Sequence, residues 1–162
     1  MNAEICYSIV IPVYNEEAVI DQTYRRLKQV LDSTKDPYEL IFVNDGSCDH
    51  TTAKIKGFRA QDDAVKLITF SRNFGYQVAI TVGMDYASGA AVVVIDADLQ
   101  DPPEVILDTI AQWKEGFDVV YAILFSSYYT VSECYGMMKK ERKRFKSSAK
   151  EHTVCGIEEA YI

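Results

Sequence analysis

Val92-Val93-Val94-Ile95-Asp96-Ala97-Asp98-Leu99-Gln100-Asp101-Pro102-Pro103 is the stretch on which the reading of this chain turns. An unbroken run of apolar, β-branched residues is the pattern of a strand buried on both faces, as in parallel sheets. The run stops at two aspartates one residue apart, which places both carboxylates at the strand's C-terminal end. In open α/β sheets that edge is where ligands bind. Carboxylates this close repel each other, so a cationic group is expected between or beside them. A hard divalent ion fits, because such ions take oxygen ligands and keep substrate phosphates in their shell. The alternative is an acidic turn that caps the next helix, with Pro102 and Pro103 at its start.

Outward from this stretch, the first 120 residues alternate regularly between strand and helix patterns. Strands are expected at Tyr7 to Val13, Tyr38 to Asn44, Val65 to Phe70 and Ala91 to Ile95. Asn15 is placed to cap a helix from Glu16 to about Asp32, with acids in its first turn and bases further along. Further helices are expected from about Asp49 to Gln61, Gly75 to Ala87 and Pro103 to Lys114. A short strand, Phe117 to Tyr121, follows Gly116. This alternation predicts an α/β fold: a mostly parallel sheet with right-handed crossovers and helices on both faces. Four polar clusters then fall at one sheet edge: Asn15-Glu16, Asn44-Asp45-Gly46, Ser71-Arg72-Asn73 and Asp96-Ala97-Asp98. Their convergence is a stronger signal than any one of them.

The length of 162 residues suits one domain with a sizeable core. Net charge is −7 but uneven. Up to Val120, 10 Lys and Arg stand against 19 Asp and Glu; from Tyr121 onward, 7 stand against 5. An acidic body argues against nucleic acid as a partner. A nucleotide substrate stays open, since a bound cation can supply positive charge. Cys6, Cys48, Cys134 and Cys155 have no paired short spacing, so neither a zinc site nor a disulfide framework is indicated. Scattered thiols fit a reducing cytoplasm. The N-terminus has no signal-peptide pattern, and no apolar run approaches the roughly 20 residues of a membrane span. After Tyr121 the character changes. Ser126 to Val131 reads as strand or loop, and Glu133 to Lys150 as a basic helix. That helix is either a solvated face or a contact for a membrane surface or anionic lipid.

Four motifs, in order, resemble the inverting family-two glycosyltransferases of GT-A fold, in particular their polyprenyl-phosphate branch. They are Ile9-Val10-Ile11-Pro12-Val13-Tyr14-Asn15-Glu16-Glu17, Val43-Asn44-Asp45-Gly46-Ser47, Ser71-Arg72-Asn73-Phe74-Gly75, and Ile95-Asp96-Ala97-Asp98-Leu99-Gln100-Asp101-Pro102-Pro103. The resemblance covers about residues 5 to 121. It implies a GT-A, Rossmann-like domain over residues 1–121, with 122–162 an unrecognised basic tail. It also implies transfer of a sugar from a UDP- or GDP-sugar to a polyprenyl phosphate, with Mg²⁺ or Mn²⁺ as cofactor. Pro12, Tyr14 and Glu16 match positions that hold the base and ribose, and Asp45 a second contact near the base. Asp96 matches the acid near the donor ribose and sugar, Asp98 and Gln100 the metal ligands, and Arg72 a loop near the nucleotide. Such a protein is expected in the cytoplasm or peripheral at the membrane.

Elementary chemistry agrees with these roles. Carboxylates accept hydrogen bonds from ribose hydroxyls and base N–H groups. A lipid phosphate is already anionic at neutral pH, so as a nucleophile it needs no strong general base. The family's acceptor side has no recognisable counterpart after Tyr121, which suggests a truncated, frame-shifted or divergent chain and impaired transfer. A non-catalytic nucleotide-sugar-binding module and an inactive fragment therefore stand as alternatives to the enzyme.

Overall fold

The computed structural model of the chain describes residues 5–120 and the backbone of residues 124–125, 128–129 and 157–161. Its elements are β1 (Tyr7–Val13), α1 (Ile20–Thr34), β2 (Tyr38–Asn44), α2 (Thr51–Arg59), β3 (Val65–Phe70), α3 (Tyr76–Tyr86), β4 (Ala91–Val94) and α4 (Val105–Lys114). Short strands β5 (Leu124–Phe125), β6 (Tyr128–Tyr129) and β7 (Ile157–Tyr161) follow. The main sheet has the order β4-β1-β2-β3-β7. Its first four strands are parallel, and β7 joins antiparallel at the β3 edge. Strands β5 and β6 form a separate antiparallel pair.

All seven residues of β1 are buried, as a strand between two parallel neighbours requires. Its alternate side chains feed two cores. Tyr7, Ile9, Ile11 and Val13 join Leu40, Phe42, Leu67 and Val93 beneath α1, α2 and α4. Val10 joins Ile41, Val43, Ile68 and Val92 beneath α3, which contributes Ala79 and Val82. Gly83 lets α3 lie directly on the sheet, because a Cβ there would collide with Val10. Pro12 is tolerated in this central strand for a reason of register. It shares the parity of Val10, whose carbonyl accepts the Ile95 N–H from the β4 side. The β1–β4 ladder ends at Val10–Val94, so the N–H that Pro12 lacks faces a position past the last pair.

Several elements differ from expectation. Helix α1 begins at Ile20, not Glu16, and its N-cap residue Val19 makes no side-chain capping bond. Asn15 does not cap it: Asn15 is in the left-handed region (φ 57°) and bonds to the β2–α2 loop instead. Helix α4 starts at Val105, past both prolines, and has no side-chain cap. The strand expected at Phe117 to Tyr121 is not formed over 117–120. Strand β7 was not anticipated. The basic helix expected at Glu133 to Lys150 lies outside the described residues.

At the N-terminal end of the sheet, away from the loops that follow the strands, Glu39 is a buried tie point. Its Oε1 accepts from the Ser8 hydroxyl and from the Ser88 N–H and hydroxyl, and Lys66 Nζ lies 2.6 Å from Oε2. The Ser8 hydroxyl also accepts the Gly89 N–H. Burial alone raises the Glu39 pKa, but Lys66, Ser8 and Ser88 outweigh it and hold the carboxyl below its usual range. One carboxylate thus joins β1, β2, β3 and the α3–β4 turn.

Candidate functional site

Chain direction reverses its spatial order between β1 and β4, since β2 and β3 lie on one side of β1 and β4 on the other. The crevice outside the C-terminal ends of the strands at such a switch point is the ligand position of open α/β folds. Here it is a cleft of about 370 Å³, lined by Pro12, Val13, Tyr14, Glu16, Asp45, Asn73, Gly75, Tyr76, Asp96, Ala97 and Asp98. Loops after all four parallel strands contribute. The structure therefore brings together Pro12, Tyr14, Glu16, Asp45, Asp96 and Asp98. It does not place Arg72 or Gln100 among the lining residues.

The β1–α1 and β2–α2 loops are cross-linked. The Asn15 N–H donates to Ser47 Oγ and the Cys48 N–H to Asn15 Oδ1, both at 2.9 Å. The Glu16 N–H donates to Thr51 Oγ1 at 2.9 Å, and the Glu17 N–H to Asp49 Oδ2 at 3.1 Å. The His50 N–H returns a bond to Glu17 Oε2. These bonds satisfy the backbone N–H groups of Asn15, Glu16 and Glu17, which precede α1, and they fix Tyr14 and Glu16 at the cleft. Tyr14 is 46% exposed, so its ring presents a free face there.

Asp45 is only 4% exposed. Its Oδ1 accepts the Phe74 N–H at 2.6 Å and its Oδ2 the Gly75 N–H at 2.9 Å. It therefore holds the β3–α3 loop against the cleft. The approach demands Gly46, which has φ +72° and no room for a Cβ against the Arg72 backbone. Arg72 is exposed, and its guanidinium stacks on Phe74, 4.6 Å from the ring centre. That cation–π contact holds it away from the lining.

Asp96, Asp98 and Asp101 follow β4. Tyr76 donates its hydroxyl to Asp96 Oδ1 at 2.7 Å from the N-terminus of α3. Asp98 Oδ1 accepts the Gln100 N–H at 3.0 Å, a local turn that leaves Leu99 at φ 61°. Neither aspartate caps α4, so the acidic-turn alternative does not account for the pair. Crowding of like charge is visible in the pKa directions. Burial and then the charges of Asp98, Asp49 and Asp96 raise Glu16; burial and then Asp96 and Asp98 raise Asp101. Burial, the Asp96 bond and the neighbouring carboxylates push the Tyr76 phenol up, which keeps it a hydrogen-bond donor.

Among the described residues, no Lys or Arg forms an ion pair with Glu16, Asp96, Asp98 or Asp101. An uncompensated set of oxygen donors suits a hard cation. No three His, Cys, Asp or Glu side chains of the described residues converge as a cage. Any ion held by these oxygens would complete its shell with oxygens of a ligand, as Mg²⁺ and Mn²⁺ do with phosphates.

Asn73 belongs to the Ser71-Arg72-Asn73 cluster expected at this edge, whereas Gly75 and Tyr76 were given no site role from the sequence. Gly75 ends the quoted Ser71–Gly75 motif and Tyr76 follows it. Only the tertiary approach of α3 to β4 reveals that Tyr76 reaches Asp96.

The family model for glycosyl transferase family 2 matches residues 8–158. The chain belongs to glycosyl transferase family 2. Within that family, the uncharacterized glycosyltransferase YkcC of Bacillus subtilis (strain 168) is 63% identical over 123 residues, covering 76% of this chain and 38% of YkcC. The bactoprenol glucosyl transferase of Shigella phage SfV is 43% identical over 115 residues, covering 71% of this chain and 38% of that protein. The chain thus spans less than two-fifths of the length of these relatives. Among solved structures, S. aureus TarS 1-349 matches with a TM-score of 0.59 at 23% identity, covering 80% of this chain and 39% of that one. The mannosyltransferase PcManGT from Pyrobaculum calidifontis, in complex with GDP-Man and Mn²⁺, matches with a TM-score of 0.58 at 20% identity. It covers 74% of this chain and 35% of that one. At these identities the likeness concerns the fold, which is GT-A-like. No helix of the described residues is long and apolar enough to cross a membrane.

Proposed function

We propose that the cleft binds a nucleoside diphosphate sugar, UDP- or GDP-linked, together with Mg²⁺ or Mn²⁺. The whole protein then transfers the sugar to a polyprenyl phosphate with inversion. The observation that carries this reading is the convergence of Pro12, Tyr14, Glu16, Asp45, Asp96 and Asp98 on one cleft at the switch point of a family-two domain. The 43% identity with proteins named bactoprenol glucosyl transferases supports the acceptor class.

In this proposal Tyr14 stacks on the base, and Glu16 and Asp45 accept from base N–H or ribose hydroxyl groups. Asp45 already uses a lone pair of each oxygen on the β3–α3 loop, so it contacts the base through the remaining ones. Asp96, with Oδ1 held by Tyr76, offers Oδ2 to the ribose or sugar. Asp98 is the metal ligand from this chain, with Gln100 as a second oxygen donor if its side chain turns inward. The bound cation supplies charge stabilisation for the departing diphosphate. The residues bind and orient the donor so that the anomeric carbon faces the acceptor in line.

Isothermal titration with UDP, GDP and their sugar conjugates, in Mn²⁺ and in chelator, tests the reading. At least one nucleotide is expected to bind several-fold more tightly with Mn²⁺. Equal affinity for all of them with and without metal rules the proposal out.

A further inference from the structure

Ile95 and Ala97 anchor the loop that carries the aspartate pair in the core, but few hydrogen bonds tie it to the rest of the protein. The last sheet bond before it is Ile95 N–H to the Val10 carbonyl. Within it, Gln100 bonds only locally to Asp98. Tyr76 meets the Asp96 carboxylate from α3. From the opposite face, the Thr23 hydroxyl in α1 donates to the Ala97 carbonyl at 2.6 Å. Ala97 is the residue between the two aspartates, and among the described residues no other bond to its carbonyl is present.

Thr23 is 1% exposed and Ala97 3%. A threonine inside a helix ordinarily turns its hydroxyl to the carbonyl four residues back, and Val19 O lies 3.1 Å away. A hydroxyl has one proton to give. The Ala97 carbonyl is 0.5 Å nearer and has no competing donor, so the proton belongs there. Glu16, Asp96, Asp98 and Asp101 crowd like charge around this loop, and the Thr23 bond fixes its backbone at the residue between the pair.

We propose that Thr23 is a positioning residue: its buried hydroxyl, bonded to the Ala97 carbonyl, sets where the Asp96 and Asp98 carboxylates stand for metal-bridged diphosphate. This rests on the function proposed above. Thr23 touches neither ligand nor metal; it acts through the backbone of Ala97. Its removal therefore weakens the metal-dependent part of nucleotide binding more than the contacts at Tyr14 and Glu16, whose loop is held by its own bonds to Ser47, Asp49 and Thr51.

The test compares the full chain with Thr23→Val, which keeps the shape and removes the donor, and Thr23→Ser, which keeps the donor. UDP and GDP are titrated into each, with Mn²⁺ and with chelator. T23V is expected to lose about tenfold in Kd with Mn²⁺, ~1.4 kcal/mol, and less than twofold in chelator. T23S is expected within about twofold of wild type in both. Equal affinities for T23V and wild type in Mn²⁺, or a loss of the same size in chelator, overturn the proposal. Should T23V fail to fold, Thr23→Ala removes the hydroxyl without added shape. If wild type shows no metal-dependent binding, the proposed function fails, and ligand-free crystal structures of wild type and T23V decide on Thr23. Displacement of Asp96–Asp98 relative to β1 supports its role; superposable loops overturn it.

Discussion

Replacing Asp45 with Asn probes the junction between fold and site. The side chain is buried, and its two oxygens accept the Phe74 and Gly75 N–H groups at 2.6 and 2.9 Å. In D45N one oxygen remains as a neutral acceptor, and the other position becomes an NH₂ that faces a backbone N–H. One bond to a charged acceptor, worth about 1.5–3 kcal/mol, is lost outright and the other loses its charge. The exposed rim of the β3–α3 loop recovers part of this by turning an N–H to water. The expected destabilisation is about 3 kcal/mol, read as a lower urea midpoint with unchanged slope. For a chain of this size it corresponds to a fall of roughly 6–12 °C in Tm. A loss below about 1 kcal/mol would show that the loop is held by something other than this carboxylate. The substitution also loosens Asn73, Gly75 and Tyr76, so nucleotide affinity is expected to fall with stability.

Glu39→Gln breaks the buried tie at the other end of the sheet and is expected to cost about 3 kcal/mol, the low end for a broken buried pair because Lys66 is 21% exposed. The folded-state pKa of Glu39 is depressed, so its stabilisation is present above the unfolded value and lost as pH falls through the folded one. Urea midpoints of wild type should therefore drop on acidification more than those of E39Q; parallel curves contradict the assignment. Gly83→Ala drives a Cβ into Val10 on the central strand, and overpacking of about 1–3 kcal/mol should exceed the helix-propensity gain. A G83A variant more stable than wild type in thermal melts would show that α3 shifts freely.

The central strands were legible because nothing competes with their pattern. Tyr7–Val13, Tyr38–Asn44 and Val65–Phe70 are apolar runs bounded by breaks, and the structure has the same bounds. The switch-point cleft followed from their alternation with helices. The start of α1 was not legible, because Asn15 takes a left-handed backbone (φ 57°) and Asn15 to Glu17 bond side chains 32 to 35 residues later instead of opening the helix. No local signal shows that. Arg72 was expected in a loop near the nucleotide, but it does not line the cleft, and Phe74 two residues on supplies a ring for its guanidinium. Tyr76 and Thr23 were invisible for the complementary reason. Each sits in a helix with an unremarkable pattern, and only the packing of α3 and α1 on the sheet turns their hydroxyls to the Asp96–Asp98 loop.

A crystal structure of the chain grown with Mn²⁺ and its tightest nucleotide diphosphate tests the central claim most directly. The diphosphate is expected in the cleft, with an ion between it and Asp98 and the base beside Tyr14 and Asp45. A nucleotide bound elsewhere, or in the cleft with no ion at Asp98, contradicts it.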